Sequence, residues 1–556
     1  MRRYPWLKIP KKWEPEAPLE PPLPMGDLSN GEYFSFQTER DRKLRRFILE
    51  KADENARRVG LDRRQFLASA MGMATTLWCI QYVSGCSSDE NASGTGGNAG
   101  AGGAGGAGGS GGVGGAGGAG GTGGACVPPD AMYDENAACA AIGGNEFIFD
   151  VQTHWFSSED MARFPASVKN TFAILGLSNE DAYVNGLFLN SDTTMTVLTS
   201  WPGTYCSPDP ANTDPCGLPL SNDRMAASRD RLNQLACNTQ RVVQHFQLLP
   251  TDRMSIAEQK DLMTKLHCEK RVHGWKMYPG FNPSSIDPSL SRGYFLTDPN
   301  ARALIEYALD LGVNRFSVHK GLAIGTFFEA EHNHPRDVGP AAKDYPRANF
   351  IIYHSAVCAG YADAQGNSSC TNAALEGAYD PNDPNPRGAN ALIRSLLDAG
   401  IQPNSNVYAE VGSAIDRVMR NTTAAQHFFG KLMKYVGPDR VVWGTDCLAT
   451  QSTPQGYIEW FRTLPQNVAL EQQNQYPPLD AEAKKRIFGL NAAKLYGVDV
   501  AAKRCQVRAC PTAELKRRLD EEMGPRRWVF DSPLGPRTYR ECLEEARKSA
   551  VLGRPT

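Results

Sequence analysis

Val441-Val442-Trp443-Gly444-Thr445-Asp446 is a short apolar run that ends in one carboxylate. Three earlier apolar runs end in a histidine in the same way, at Phe147–His154, Phe316–His319 and Asn349–His354. A parallel barrel presents its functional side chains at the carboxyl ends of its strands, and imidazole and carboxylate groups are common metal ligands. The four runs therefore predict a barrel with a metal centre at one rim.

The alternation of segments between residues 146 and 500 indicates the fold class. Continuous apolar strands separated by amphipathic helices are typical of a parallel sheet. The predicted strands are Phe147–Val151, Thr194–Thr199, Arg241–Leu249, Val272–Tyr278, Arg315–His319, Asn349–His354, Asn406–Val411 and Arg440–Gly444. The predicted helices are Asp223–Cys237, Ile256–His267, Asn300–Gly312, Asn390–Gly400 and Ser413–Tyr435. We predict an α/β fold, a (β/α)8 TIM barrel. The alternative is an open doubly wound sheet, but no Gly-rich phosphate loop follows the first strand.

Composition narrows the class of partner. The chain of 556 residues has a formal net charge of −2 and a pI near 6.5. Binding of nucleic acid usually needs a basic excess, so the sequence gives no electrostatic case for such a partner. We expect a small-molecule substrate. The oligomeric state is left open, a homodimer included.

The first 86 residues are predicted to lie outside the barrel. Residues 1–60 are rich in proline and charge, a composition that predicts disorder. Residues 61–86 resemble a twin-arginine export signal, because Arg63 and Arg64 precede an apolar segment. Its ending, Val83-Ser84-Gly85-Cys86, resembles a bacterial lipobox, in which Cys86 would be the cleavage and lipidation site. A buried helix or a plain anchor is the alternative, since a membrane span needs roughly 20 apolar residues.

A Gly/Ala-rich stretch, residues 87–130, follows the predicted signal and indicates a flexible linker. Signal, linker and barrel together predict an exported periplasmic or cell-envelope lipoprotein that meets the membrane only through its lipid. Many cysteines fit an exported chain, because disulfides persist in oxidising compartments. The closely spaced candidates for pairing are Cys126 with Cys139, Cys206 with Cys216, Cys358 with Cys370, and Cys505 with Cys510.

The barrel domain is predicted to cover residues 131–500, and residues 501–556 a charged helical extension. Two stretches rich in Pro, Gly, Ser and Asn, residues 200–222 and 280–298, follow the second and fourth predicted strands. In a barrel they would be loops over the catalytic rim, where substrate selection usually resides.

Six motifs in chain order resemble the amidohydrolase-related family of the amidohydrolase superfamily, which includes aminocarboxymuconate semialdehyde decarboxylase and resorcylate decarboxylase. The resemblance covers roughly residues 145–500. Each motif alone is weak, and the ordered set is more specific. The motifs are Asp150-Val151-Gln152-Thr153-His154, Gly274-Trp275-Lys276, Val318-His319-Lys320-Gly321, Tyr353-His354, Trp443-Gly444-Thr445-Asp446 and Asn491-Ala492-Ala493-Lys494-Leu495-Tyr496.

The resemblance implies roles for the strand-end residues. His154, His319 and Asp446 match metal ligands, and His354 matches the acid/base group beside them, with Asp446 also taking part in catalysis. The implied cofactor is a divalent metal ion, zinc by its ligands, with manganese or iron as alternatives. Gln152 stands at a ligand position where the family more often has His or Glu. A neutral amide is a poorer zinc ligand than imidazole, so Gln152 puts tight metal binding in doubt.

Two further residues are predicted to face the pocket. Lys276 would contact substrate or simply cover the barrel mouth. Glu410, which closes Val407-Tyr408-Ala409-Glu410, would bind substrate or form an ion pair with Lys276. His332 and His334 have a metal-like spacing but lie in a polar loop, where ordinary surface histidines are the alternative.

The first functional hypothesis is a metal-dependent hydrolase, in which metal-activated water attacks a small organic substrate. The second keeps the fold and is a metal-dependent decarboxylase of aromatic or unsaturated carboxylates. The third is a catalytically weak, tethered binding protein that has lost its metal through Gln152.

Overall fold

Eight parallel strands form one sheet in the computed structural model, and each strand pairs with its neighbour in the sequence. The strands are β1 (Ile148–Thr153), β2 (Thr193–Thr199), β3 (Val242–Leu248), β4 (Gly274–Met277), β5 (Arg315–His319), β6 (Asn349–Tyr353), β7 (Val407–Glu410) and β8 (Val441–Val442). The structure describes residues 21–23, 25, 28–29, 34–35, 37–67, 69–84, 127–142, 146–161, 180–203, 218–250, 254–281, 293–322, 328, 330–357, 377–447, 454–508, 510 and 516.

The chain after β8 closes the sheet against β1. The Val151 amide donates to the Trp443 carbonyl at 3.0 Å, and the His154 amide donates to the Cys447 carbonyl at 2.6 Å. Thr153 pairs with Cys447 in parallel register. These bonds remove both free edges of the sheet, so the architecture is the predicted (β/α)8 barrel.

The helices follow the strands as predicted. Their bounds are α1 (Glu39–Val59), α2 (Arg63–Leu67), α3 (Ala70–Val83), α4 (Glu135–Ile142), α5 (Ser158–Met161), α6 (Glu180–Val184), α7 (Asn222–Leu235), α8 (Ile256–Lys270), α9 (Pro299–Asp310), α10 (Ala330–Asn333), α11 (Val338–Asp344), α12 (Ala389–Ala399), α13 (Ala414–Val418), α14 (Thr422–Tyr435), α15 (Pro454–Thr463), α16 (Val468–Asn474), α17 (Ala481–Lys485), α18 (Asn491–Tyr496) and α19 (Val500–Arg508). The single helix predicted over Ser413–Tyr435 is wrong. The structure ends α13 at Val418, and the Asn421 side chain accepts from the Ala424 amide to begin α14.

Two apolar clusters hold the barrel together. The larger one packs strand residues such as Phe316 and Val318 against helix residues such as Leu304 and Phe428. The second contains side chains from six of the eight strands, as the filled interior of a barrel requires. Full burial of each large apolar side chain is worth about 1.5–3 kcal/mol, so both layers stabilise the fold.

The N-terminal region differs from the prediction of disorder over residues 1–60. Residues 39–59 form α1, whose first turn is closed by reciprocal hydrogen bonds between Thr38 and Asp41. Leu44, Ile48 and Ala52 recur every fourth residue and are buried. No proline interrupts this stretch, so the composition of the proline-rich start did not represent it.

The segment predicted as an export signal contains α2 and α3, and α3 packs on the barrel. Gln81 of α3 donates to the Thr463 carbonyl at 2.8 Å and accepts from the Val127 amide at 2.7 Å. Val127 is buried, so ordered structure begins inside the stretch predicted as linker to residue 130. Cys86 and most of that linker lie outside the described residues. None of the helices described combines the length and apolar character of a membrane span.

One disulfide differs from the predicted short-range pairs. Cys510 is bonded to Cys237, at the end of α7, rather than to Cys505. The chain reaches Cys237 because α19 runs back along the barrel, where Lys503 donates to the Thr239 carbonyl. The other predicted pairs each include a residue outside the described part of the chain, as does most of the 501–556 extension.

Candidate metal centre

Four strand ends meet at one rim of the barrel. His319 is the last residue of β5, His154 and His354 directly follow β1 and β6, and Asp446 lies four residues beyond β8. All four side chains are fully buried. Parallel strands end at the same rim, and this brings groups that are far apart in sequence into contact.

The four side chains contact one another as two pairs, and the Gln152 amide contacts one member of each pair. His154 Nε2 lies 3.1 Å from Asp446 Oδ1, and His354 Nε2 lies 3.2 Å from His319 Nδ1. Gln152 Nε2 donates to Asp446 Oδ1 at 2.7 Å and lies 3.4 Å from His354 Nε2. The structure therefore brings together all five residues predicted for the metal and its acid/base group.

Backbone carbonyls determine which ring nitrogen carries the proton in His319 and His354. His154 Nδ1 lies 2.8 Å from the Thr199 carbonyl, and His354 Nδ1 lies 2.9 Å from the Gly412 carbonyl. His319 Nε2 lies 3.2 Å from the Leu322 carbonyl. His154 Nδ1 also lies 2.9 Å from the Thr199 hydroxyl, which can donate or accept. A carbonyl oxygen can only accept, so the outer nitrogens of His319 and His354 are donors. In a neutral imidazole the inner nitrogen is then an unprotonated lone pair, as metal-ligating histidines require.

The inner nitrogens consequently face other lone pairs. His354 Nε2 faces His319 Nδ1, and His154 Nε2 faces a carboxylate oxygen of Asp446. Such contacts are attractive only when a proton or a metal cation lies between the atoms. Burial lowers the pKa of His319 well below its ordinary value and that of His354 to about 4, so a proton is disfavoured there near pH 7.

Asp446 keeps its charge despite burial. Burial by itself would raise its pKa, but the neighbouring imidazoles of His154 and His354 hold the pKa below its usual value. Ser413 donates to the other carboxylate oxygen of Asp446 at 2.5 Å. An anionic oxygen therefore stands beside the imidazole lone pairs, and imidazole with carboxylate is a donor set for zinc or manganese.

This donor set fits a divalent cation by its chemistry. His154 Nε2 and Gln152 Oε1 are buried and have no hydrogen-bond partner within the described residues. The groups contact one another directly, and no three His, Cys, Asp or Glu side chains of the described ranges are spaced as ligands in this arrangement. Gln152 directs its nitrogen toward Asp446, so in this orientation the amide supports the carboxylate and is not itself a ligand.

The two residues predicted to bind substrate differ in their surroundings. Lys276 is buried beside the centre, with Nζ 3.3 Å from the ring centroid of Tyr353 and 4.5 Å from that of Tyr278. Its charge contributes to the lowered pKa values of His319 and His354. Lys276 thus lies where it could meet an anionic substrate.

Glu410 supports the backbone of the site. One carboxylate oxygen accepts from the His354 amide at 2.8 Å, and the other accepts from the Gly412 amide. Burial raises the pKa of Glu410 well above its ordinary value. A side chain at position 444 would clash with this carboxylate, because the Cβ would lie 1.8 Å from Glu410 Oε1. The structure therefore assigns Glu410 to positioning His354.

Sequence reasoning missed two residues that hold Asp446 in place. The Asp150 carboxylate accepts from the Thr445 amide at 3.0 Å and from the Gln152 amide at 3.1 Å. It thereby fastens β1 to the turn that carries Asp446, and burial raises its pKa to about 7. The regular spacing of Asp150, Gln152 and His154 was a usable signal, whereas nothing in the local sequence marks Ser413.

The backbone is left-handed at the centre. His354, Ser355 and Ala356 have φ of +61°, +49° and +56°, and Asp446 has φ of +63°. Non-glycine residues adopt such angles at a cost, and they concentrate at functional sites. The hydrogen bonds that Glu410 and Asp150 make to these turns hold them there.

Two aromatic rings pack against the histidines of the centre. Phe328 stacks on His319 at 4.7 Å, and Trp201 meets the edge of His154 at 6.4 Å. Trp201 begins the first predicted substrate loop, but residues 204–217 and 282–292 of the two loops lie outside the described part.

Part of this barrel matches a known family. Residues 404–498 match the family model described as Amidohydrolase. The carboxyl-terminal quarter of the barrel is amidohydrolase-like. This region contains β7, β8, Glu410 and Asp446, whereas the three histidines of the centre precede it. A comparison with curated proteins gives no match.

Several solved structures match 64% of this chain at low sequence identity. A 2,6-dihydroxybenzoate decarboxylase from Rhizobium is 13% identical, with 64% of this chain and 99% of that chain covered and a TM-score of 0.37. A putative 2-pyrone-4,6-dicarboxylic acid hydrolase from Pseudomonas putida is 16% identical, with 64% and 98% covered and a TM-score of 0.39. A manganese-bound 5-carboxyvanillate decarboxylase from Novosphingobium aromaticivorans is 12% identical, with 64% and 98% covered and a TM-score of 0.38. Likenesses of this size do not carry those activities over to this chain.

Proposed function

We propose that the protein is a metal-dependent hydrolase of the amidohydrolase-related type, acting on a small organic substrate. The observation that carries this proposal is the fixed set of histidine tautomers. The outer nitrogens of His319 and His354 donate to backbone carbonyls, so their inner lone pairs face each other at 3.2 Å, and His154 Nε2 lies 3.1 Å from the Asp446 carboxylate beside them. The family match over residues 404–498 supports the same class.

The residues of the centre would have separate roles in binding the cation, orienting a ligand and transferring a proton. His154, His319 and Asp446 would hold the cation, and Gln152 would orient Asp446 through its amide hydrogen bond. A bound divalent cation would supply Lewis acidity, which makes water a better nucleophile near neutral pH. His354 is held neutral by burial, so its inner nitrogen can accept the proton that water loses and return it to the leaving group.

A second candidate is the decarboxylation of an aromatic or unsaturated carboxylate. The buried ammonium of Lys276, between the rings of Tyr353 and Tyr278, favours an anionic substrate with a flat apolar body. In this reaction His354 would take a proton from water or from an acidic group of the substrate and deliver it to the carbon that loses CO2. A third candidate, a binding protein without metal, predicts no bound cation at all.

One set of experiments separates the three. Metal content is measured on the full chain purified without added metal, together with an Asp446→Asn variant. A panel of esters, lactones and aromatic carboxylic acids is then assayed for water addition and for CO2 release. The hydrolase proposal expects stoichiometric metal and water addition, both lost in Asp446→Asn. Stoichiometric metal with CO2 release alone would support the second candidate, and absence of metal in the parent would overturn both enzymatic proposals.

We also propose that the protein works outside the cytoplasm. The Cys237–Cys510 disulfide supports this, because such bonds persist mainly in oxidising compartments. Lipidation at Cys86 and export through Arg63 and Arg64 stay predictions. Export is tested with Arg63→Lys/Arg64→Lys, and unchanged transport of this variant would contradict the twin-arginine route.

A further inference from the structure

A patch of aromatic and apolar side chains lies on the N-terminal helices, far in sequence from the metal centre; Tyr82 and Val83 are exposed, and Phe47 and Trp78 are half-buried. Trp78 and Tyr82 of α3 stack at 4.8 Å, and Phe47 of α1 lies 6.0 Å from Tyr82. Tyr82 is 54% exposed, and the next residue, Val83, is 45% exposed. Other large exposed apolar residues of the described chain occur singly, so this patch needs its own explanation.

Positive charge is concentrated beside this patch. The first eight residues of α1, 39–46, contain five basic residues and two acidic ones, a net charge of +3, although the whole chain carries −2. One of the acidic residues, Asp41, is buried and paired with Arg420 at 3.2 Å. Lys43 lies one turn from Phe47 on α1, and Arg46 is adjacent to it. The basic half of α1 therefore borders the aromatic patch.

A surface cavity of about 420 Å³ opens on the same half of α1. Four arginines and two carboxylates line it, so its lining has a net positive charge. Asp53, one of the carboxylates, already pairs with Arg57 at 2.5 Å. The charged lining residues are Arg42, Arg45, Arg46, Glu50, Asp53 and Arg63.

We propose that α1 and α3 dock the folded protein on an anionic membrane surface. We name the docking surface the aromatic–basic face and define it as Lys43, Arg46, Phe47, Trp78, Tyr82 and Val83. Tyrosine and tryptophan are favoured at the level of lipid headgroups, and each basic residue near an anionic leaflet adds about 1 kcal/mol. The described helices include no membrane span, so the attachment is peripheral.

Charge complementarity favours a lipid surface over a second copy of the chain. Two basic faces would repel each other in a symmetric dimer, because an isologous contact places like groups opposite each other. An anionic bilayer suits both the basic and the apolar residues of the face. Lipid phosphates pair with Lys43 and Arg46, and the boundary between headgroups and acyl chains accommodates Tyr82 and Val83.

This attachment and lipidation at Cys86 exclude each other. Cleavage before Cys86 would remove α1 and α3, whereas docking needs them on the barrel. The contacts of Gln81 with Thr463 and Val127 favour their retention. The inference does not depend on the reaction at the metal centre.

The test uses the full chain and extruded vesicles. Co-sedimentation is measured with vesicles of phosphatidylcholine alone and with a 7:3 mixture of phosphatidylcholine and phosphatidylglycerol, at low and at physiological salt. We expect binding to the anionic vesicles that weakens with salt, and little binding to the neutral ones. Lys43→Gln/Arg46→Gln should bind about 30-fold more weakly, and Tyr82→Ser/Val83→Ser about tenfold more weakly.

Two matched variants serve as controls on other surfaces. Lys343→Gln/Arg347→Gln removes the same two charges from exposed positions, and Val468→Ser changes a valine that is 54% exposed. Both should bind vesicles like the parent, and all variants should unfold at the parent's temperature. Equal binding to neutral vesicles, equal losses in the controls, or binding of polyanions such as single-stranded DNA without vesicle binding would overturn the proposal. So would a natural mature protein whose mass shows that residues 1–85 are absent.

Discussion

Two groups of buried polar side chains in the same barrel differ in the hydrogen bonds that their histidine ring nitrogens make. His245 Nδ1 lies 2.9 Å from the Ser317 hydroxyl, and its Nε2 lies 2.9 Å from the Tyr496 hydroxyl. A hydroxyl can donate or accept, so either tautomer of His245 is satisfied. At the metal centre, carbonyls fix His319 and His354 as donors on the outside, and their lone pairs meet inside.

Under the proposed function, the difference separates a structural histidine from a candidate metal ligand. Both groups are fully buried, so burial alone does not mark a site. His245 belongs to a closed network that needs no further partner, whereas the facing lone pairs of His319 and His354 become favourable only when a proton or a metal cation lies between them. Tautomer geometry thus distinguishes the two where burial does not.

The largest effect is expected from removing a ligand at the centre. Asp446→Asn should lower metal affinity and any activity by more than about 100-fold, because the anionic oxygen among the lone pairs is lost. Metal titration and the activity panel measure both quantities. His245→Ala is the matched change in the closed network, and it should leave metal content at the parent's level while lowering the free energy of unfolding by about 3 kcal/mol. Equal loss of metal in the two variants would remove the distinction between the groups.

Adding a metal ligand at position 152 tests the same difference between the two groups of histidines. Gln152→His places an imidazole beside Asp446 and should raise zinc affinity by about 10- to 100-fold, because imidazole is a far better zinc ligand than an amide. Competition with a chromogenic chelator measures the change. Gln152→Ala, which only deletes the hydrogen bond to Asp446, should not raise the affinity. If Gln152→His binds zinc no more tightly than the parent, position 152 does not face the cation.

The pH dependence of stability should reveal the closed network. Burial, with help from the charge of Arg315, lowers the pKa of His245 well below its ordinary value of 6.5. The unfolded chain gains a proton below about pH 6.5 and the folded chain does not, so stability is full above that pH and falls below it. The slope is about 1.4 kcal/mol per pH unit for this one group.

Urea unfolding of the parent and of His245→Gln between pH 7.5 and 5 measures this slope. Glutamine can bond both hydroxyls without titrating, so the variant should lose less stability on acidification. Parallel pH curves for the two proteins would show that His245 is protonated in the folded state as readily as in the unfolded one.

The smallest effect concerns the backbone of the centre. Ala356 has φ of +56°, where glycine is more stable by roughly 1 kcal/mol. Ala356→Gly should therefore raise the free energy of unfolding slightly in metal-free protein. Ala308→Gly, in the interior of α9, should lower it by about 1 kcal/mol and serves as the control. Lower stability of Ala356→Gly would indicate that the methyl group packs favourably in the turn.

The sequence was sufficient to predict the barrel and the four strand-end residues. Strands that are buried on both faces have continuous apolar sequences. His319 and Asp446 are conspicuous because each is a polar residue at the end of such a sequence. The bounds of the eight strands agree with the prediction to within three residues at each end.

Contacts between loops could not be predicted in this way. Ser413 contacts Asp446 because the turns after β7 and β8 are neighbours in the barrel. No repeating pattern of residues in the sequence indicates that contact. Glu410 was expected to bind substrate or to pair with Lys276, yet its hydrogen-bond partners are the backbone amides of His354 and Gly412. Helix α1 was missed because its composition was averaged with the proline-rich start of the chain.

The bond between Cys237 and Cys510 spans 273 residues of sequence. Lys276, His319, His354 and Asp446 all lie within the enclosed length, and Gln152 and His154 lie before it. A protease that cuts once between positions 237 and 510 would therefore leave one covalent molecule with both parts of the centre still tethered. Such nicked protein should migrate as a single full-mass band under denaturing conditions until a reductant is added.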